Sequence, residues 1–123
     1  MTSASFKIQI FPQGVAAIRF RGSIEPSLVT RAMDECLTRG CQAVVIDFTE
    51  ASHVSNATFN QLGVQREVLQ TKGGRLAVVE PKGSIAILFD MLALRNVYPT
   101  YPTLDDALRE LVQVASGTRK IKF

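Results

Sequence analysis

The run Ala43-Val44-Val45-Ile46 contains no polar residue and is rich in β-branched side chains, so it reads as a strand buried on both faces. Such a strand belongs in a parallel sheet covered by helices, and its neighbours agree. Upstream, Phe6 to Phe11 alternates apolar and polar residues, Pro12-Gln13-Gly14 is turn chemistry, and Val15 to Arg21 alternates again. These two segments predict a hairpin. Pro26 then suits a first helical turn, with Leu28, Val29, Ala32, Met33, Cys36 and Leu37 at helical spacing and Gly40 as the stop.

Downstream of Asp47, the polar stretch Thr49 to Asn56 leads into a helix from about Ala57 to Lys72, stopped by Gly73-Gly74. Arg75 to Val79 is a further short strand. A third helix follows, with Ser84 as N-cap and Ile85 to Leu92 apolar almost all round, so deep packing is expected. Val97-Tyr98-Pro99 reads as a brief edge strand. Thr103-Leu104-Asp105-Asp106 resembles a capping box for a last helix with Leu104, Ala107, Leu108, Leu111, Val112 and Ala115 on one face. The fold class is therefore α/β: a β-hairpin, then alternating strands and helices, in a mixed sheet of about five strands with about four helices. One domain spans residues 5–115, and residues 116–123 form a short basic tail.

Charge and reactive residues narrow the function. Lys and Arg number 14 against 11 Asp and Glu, but Arg119, Lys120 and Lys122 supply the whole excess. A balanced body with a short basic tail is not the folded basic face of a nucleic-acid binder. No apolar run reaches about 18 residues, so no membrane insertion is expected, and the N-terminus lacks a secretory pattern. The cytoplasm is the expected location. Cys36 lies on an apolar helical stripe and Cys41 near a strand start, and both read as reduced thiols rather than a redox pair. His53 is the only histidine. With no carboxylate or nucleophile placed to work with it, no catalytic residue, metal site or cofactor is expected. Asp47 at a buried strand's end reads as a cap for the loop after it.

The informative segment is Ser52-His53-Val54-Ser55-Asn56-Ala57-Thr58, between a strand end and a helix start. A hydroxyl at a helix N-terminus is well placed for a phosphorylation switch, and Ser55 or Asn56 is equally placed as an ordinary cap.

Several segments taken in order resemble a known family. They are Val44-Val45-Ile46-Asp47, Val54 through Leu62, Gly73-Gly74-Arg75-Leu76-Ala77-Val78-Val79, Leu92-Ala93-Leu94 with Val97-Tyr98-Pro99, and Thr103-Leu104-Asp105-Asp106-Ala107-Leu108. From Val44 to Leu111 the chain is similar to a STAS domain, named for sulfate transporters and anti-sigma factor antagonists. The resemblance implies a non-enzymatic protein-interaction regulator in a partner-switching pathway. Its partner would be an anti-sigma factor that is also a Ser/Thr kinase, and phosphorylation at the start of the second helix would abolish binding. It implies a partner-binding surface of Ser52, His53, Ser55, Asn56, Ala57, Thr58, Asn60 and Gln61, continuing to Gln65 on an exposed helix face.

The chain departs from the family at this surface. Family members carry Asp, then Ser or Thr, a small residue and Gly-Leu. Here Ser55 takes the Asp position, Asn56 or Ala57 the acceptor position, and Thr58-Phe59 replaces Gly-Leu. Either the acceptor is lost and binding competence is permanent, or Ser55 or Thr58 serves as a displaced acceptor. The alternative role implied by the resemblance is an accessory subunit on the ATPase of a membrane lipid transporter, which the basic tail would suit.

Overall fold

The structure, a computed structural model, describes residues 4–115; the basic tail at 116–123 lies outside them. Five strands form one sheet: β1 (Ser5–Phe11), β2 (Val15–Ile24), β3 (Ala43–Val54), β4 (Arg75–Val79) and β5 (Thr100–Tyr101). They lie in sequence order, with β1 antiparallel to β2 and every later pair parallel. The helices are α1 (Pro26–Thr38), α2 (Asn56–Thr71), α3 (Gly83–Met91) and α4 (Leu104–Ala115).

Side-chain alternation divides the sheet into two apolar faces. Ile18, Phe20, Val44, Ile46 and Val78 point to one face, where α1, α2 and α3 bury Met33, Leu62 and Phe89 against them. Val15, Ala17, Val45, Ala77 and Val79 point to the other, covered by Ala107, Leu108 and Leu111 of α4. The central strands are thus apolar on both sides, as the Ala43–Ile46 run requires. A chain of ring contacts links Phe6, Phe20, Phe48, Phe59, Phe89 and Tyr98 across the three-helix face, with centroids 5.3–6.4 Å apart.

Four expectations need correction. The stretch Thr49 to Val54, read as a polar lead-in, is the outer half of β3. Its register against β2 slips twice, between Arg19 and Arg21 and between Gly22 and Ser23, so extra β3 residues break the alternation that marks a strand. Beside the first slip, Asp47 is buried and its Oδ1 accepts the Thr49 N–H at 2.9 Å and the Thr49 hydroxyl at 2.7 Å. The Arg19 guanidinium lies 3.7 Å from Oδ2. The capping role expected of Asp47 is met inside a strand rather than in a loop.

The second correction is α3. Only Ile85 and Phe89 are buried on it, while Ile87 and Met91 stand 64% and 76% exposed. A helix apolar all round has no period from which to read its buried face. Third, Ser84 is not its N-cap; Lys82 takes that position without a side-chain cap bond. Fourth, the edge strand is Thr100–Tyr101 rather than Val97-Tyr98-Pro99. Ala93 at φ 54 ends α3, a 3-10 turn covers Leu94–Asn96, and the Tyr98 ring is drawn into the core at 2% exposure. Burial pushes the Tyr98 phenol up to about 12.

The two cysteines are free and buried. Desolvation, with the Cys41 and Glu35 charges adding to it, pushes the Cys36 thiol up to about 12; desolvation also raises Cys41. Both thiols should therefore be neutral at pH 8 in the folded protein. Iodoacetamide at that pH is expected to leave Cys36 unmodified in the native state and to label both cysteines in denaturant. Rapid native labelling of Cys36 would contradict this packing.

Candidate functional site

The outer half of β3 delivers the chain to the start of α2. Ser23 pairs with His53 and Ile24 with Val54, so the last turn of chain before α2 is held by β2. Val54 is buried and anchors the segment, while Ser52 and His53 just before it are exposed. Ser55 is extended (φ −97, ψ 169) and caps α2, its hydroxyl oxygen accepting the Thr58 N–H at 3.3 Å. This is the capping geometry that short polar residues favour, and it satisfies one of the helix's orphan donors.

Thr58 is fully buried, and its hydroxyl donates to the Ile24 carbonyl at 2.7 Å. Because that single hydrogen is committed, the 3.1 Å contact between the two hydroxyls must have Ser55 as donor. Ser55, Thr58 and the end of β2 are thereby joined in one polar chain. Thr58 is thus inaccessible as an acceptor in the folded state, and the expectation that it lies on the surface is corrected. Thr58→Val keeps the shape but leaves the Ile24 carbonyl without its donor. A loss of about 1–2 kcal/mol in urea unfolding is expected, and an unchanged midpoint would show that the bond carries no stability.

Asn56 and Ala57 open α2 and are exposed, Asn60 is exposed one turn on, and Gln61 and Ser55 are half-buried. The structure therefore brings Ser52, His53, Ser55, Asn56, Ala57, Asn60 and Gln61 to one end of the molecule and places Thr58 behind them. No side chain of this group other than His53 can carry a charge, and α2 has no acidic residue in its first turn. The helix N-terminus presents its partial positive charge without an anion of its own. Gln65 does not extend this surface: it is 7% exposed and faces inward with Leu62 and Leu69. The surface continues instead through Val64 and Val68, 52% and 37% exposed, at helical spacing from Gln61. That spacing from Gln61 was the signal in the sequence, and the reading there did not use it.

No group of three or more His, Cys, Asp or Glu side chains able to hold a metal ion occurs among the described residues. Among them, no helix is long and apolar enough to cross a membrane.

A family model described as the STAS domain matches residues 13–107. The anti-sigma F factor antagonist of Paenibacillus polymyxa is 25% identical over 107 residues, covering 84% of this chain and 92% of that protein. The crystal structure of an anti-sigma factor antagonist from Mycobacterium paratuberculosis superposes with a TM-score of 0.75 at 25% identity, covering 88% of this chain and 93% of that one. The Bacillus cell fate determinant SpoIIAA in its phosphorylated form shares the fold, with a TM-score of 0.67 and 14% identity over 87% of this chain and 99% of that one.

Proposed function

This chain belongs to the STAS domain family, and from that membership we propose that it is a protein-interaction regulator of the anti-sigma factor antagonist type. Two relatives at 25% identity carry that name. The observation that supports the reading most is the start of α2: an exposed helix N-terminus with no charged residue in its first turn, where the family resemblance puts the phosphoacceptor position at Asn56 or Ala57, neither of which can accept a phosphate.

The physical logic is one of desolvation. Ser52, His53, Asn56, Ala57, Asn60 and Gln61 form a polar, largely uncharged patch, and Val64 and Val68 add apolar area beside it. A patch of this kind can be dehydrated by a partner and released again, unlike the apolar face of an obligate dimer. A phosphate at its centre would place about −1.5 to −2 charges there, to be desolvated or paired on every binding event. Asparagine carries no charge and accepts no phosphate. The chain is therefore held permanently in the binding-competent form, and its partner is an anti-sigma factor of the Ser/Thr kinase type. Ser55, the remaining candidate acceptor, is engaged as helix cap and as donor to Thr58.

The test is calorimetry of the purified chain with such an anti-sigma kinase from its own genome, with and without ATP, followed by phosphate mapping. Binding that persists in ATP with no phosphate on the chain supports the reading. Phosphate on Ser55 together with lost binding would overturn permanent competence and make Ser55 the switch.

A further inference from the structure

β1 and β5 are the two edges of the sheet. β5 has two residues and offers little to pair with, whereas β1 runs for seven. An edge strand directs alternate N–H and C=O groups away from its one neighbour, and such a row is a template for another strand. The devices that usually blunt an edge are missing from β1. Its sequence holds no proline, and it pairs with β2 from Ser5 on Arg21 to Phe11 on Val15 without a slip. Lys7 is its single charge. On the three-helix face, Arg31 of α1 lies over the Phe6 ring at 6.0 Å, but Ile8 is only half-buried and Ile10 is 44% exposed.

A symmetry in the sequence points to the occupant. Around Ile8 the strand reads alike in both directions: Lys7 and Gln9 are polar one step away, Phe6 and Ile10 apolar two steps away. Self-complementarity of this kind is what a two-fold interface between identical chains requires. With the axis through Ile8 and normal to the sheet, two copies pair antiparallel over the whole strand, Ile8 on Ile8, Phe6 on Ile10 and Lys7 on Gln9. Each ammonium group then faces an amide whose oxygen can accept from it. Moving the axis to Lys7 would set two ammonium groups opposite each other. Moving it to Gln9 would set Lys7 against Phe11 and leave Ser5 and Phe6 without partners.

We propose that β1 is a self-association surface: a second copy of this chain adds its own β1 antiparallel about Ile8, joining the two sheets into one and burying Ile10 against Phe6 across the axis. None of these residues belongs to the start of α2, and the inference does not rest on the partner reading. Because the axis is normal to the sheet, both three-helix faces lie on one side of the joined sheet.

Sedimentation equilibrium of the full chain, from micromolar to millimolar concentration, measures the association, and amide shifts of the ¹⁵N-labelled chain on dilution locate it. A reversible dimer is expected, with shifts at Lys7, Ile8, Gln9 and Ile10. Lys7 and Gln9 are exposed, so their substitution leaves the fold in place. Gln9→Lys sets like charges opposite one another and should weaken the dimer about tenfold. Adding Lys7→Glu to that variant sets opposite charges face to face and should restore the native constant, a recovery that an unfolding effect would not give. A chain that stays monomeric at millimolar concentration, dilution shifts centred on Ile87 and Met91, equal constants for the native and Gln9→Lys chains, or no recovery in the double variant would each overturn it. So would a monomer whose β1 amides are protected only by another protein, which would mark a foreign strand as the occupant.

Discussion

Gly74→Ala is expected to destabilise the protein by about 3 kcal/mol or more, while Gly73→Ala costs only about 1–2 kcal/mol. The two glycines are adjacent but are required for different reasons. Gly73 follows the α2 C-cap at φ +77, and its N–H donates to the Gln70 carbonyl, a common way of closing a helix. A Cβ there would meet nothing within 4 Å, so alanine suffers only the left-handed backbone penalty. At Gly74 the backbone is ordinary but the space is absent. An added Cβ would stand 2.3 Å from the Gln42 carbonyl oxygen and 2.7 Å from Leu69 Cγ. That carbonyl accepts the Arg75 N–H at 2.8 Å, so it cannot retreat without breaking the first bond between β3 and β4. Urea unfolding of the two variants separates the cases. Equal losses would mean that the close approach of Gly74 to the β3 entry is not what the fold depends on.

The second large effect falls on binding. Asn56→Glu is expected to lower affinity for the proposed anti-sigma partner at least tenfold, about 1.4 kcal/mol, because a fixed charge would enter a dehydrated surface. Its effect on folding has the opposite sign. Asn56 is the first residue of α2, where an acid faces the positive end of the helix, so the variant should be more stable by about 0.5 kcal/mol. Weaker binding by a more stable protein excludes misfolding as the cause. Thr58 cannot serve for this experiment: a glutamate would have to be placed in the core behind Ser55, and unfolding would mask any change at the surface. Unaltered affinity of Asn56→Glu by calorimetry would remove the start of α2 from the interface.

Much of this was legible in the sequence, and the exceptions share a cause. Strands with a clean period of two, or with no polar residue at all, were placed well: Phe6 to Phe11, Val15 onward, Ala43 to Ile46 and Arg75 to Val79. So were helices with one apolar stripe, such as α1 and α4. Reading failed where the period is broken or absent. The register slips in β3 hid Thr49 to Val54 among polar residues, and α3 offered no contrast between its faces. Tyr98 entered the core through a turn that no local pattern announces. At the candidate site, Ser55 as the α2 cap was readable from residue type and position. The bond from Thr58 to Ile24 was not, since it joins the first turn of α2 to the end of β2, 34 residues away in the chain. Gln65 was misplaced for a similar reason: it shares the helical face of Leu62 and Leu69, and its polarity argued the other way.

The most direct test is affinity purification of the tagged chain from cells that encode it, beside an Asn56→Glu bait, with co-purifying proteins identified by mass spectrometry. The expected result is a GHKL-type Ser/Thr kinase or anti-sigma factor on the native bait and its depletion from the Asn56→Glu bait. Recovery of the ATPase and permease subunits of a membrane lipid transporter on the native bait would contradict the antagonist reading, and would make this chain a transporter subunit instead.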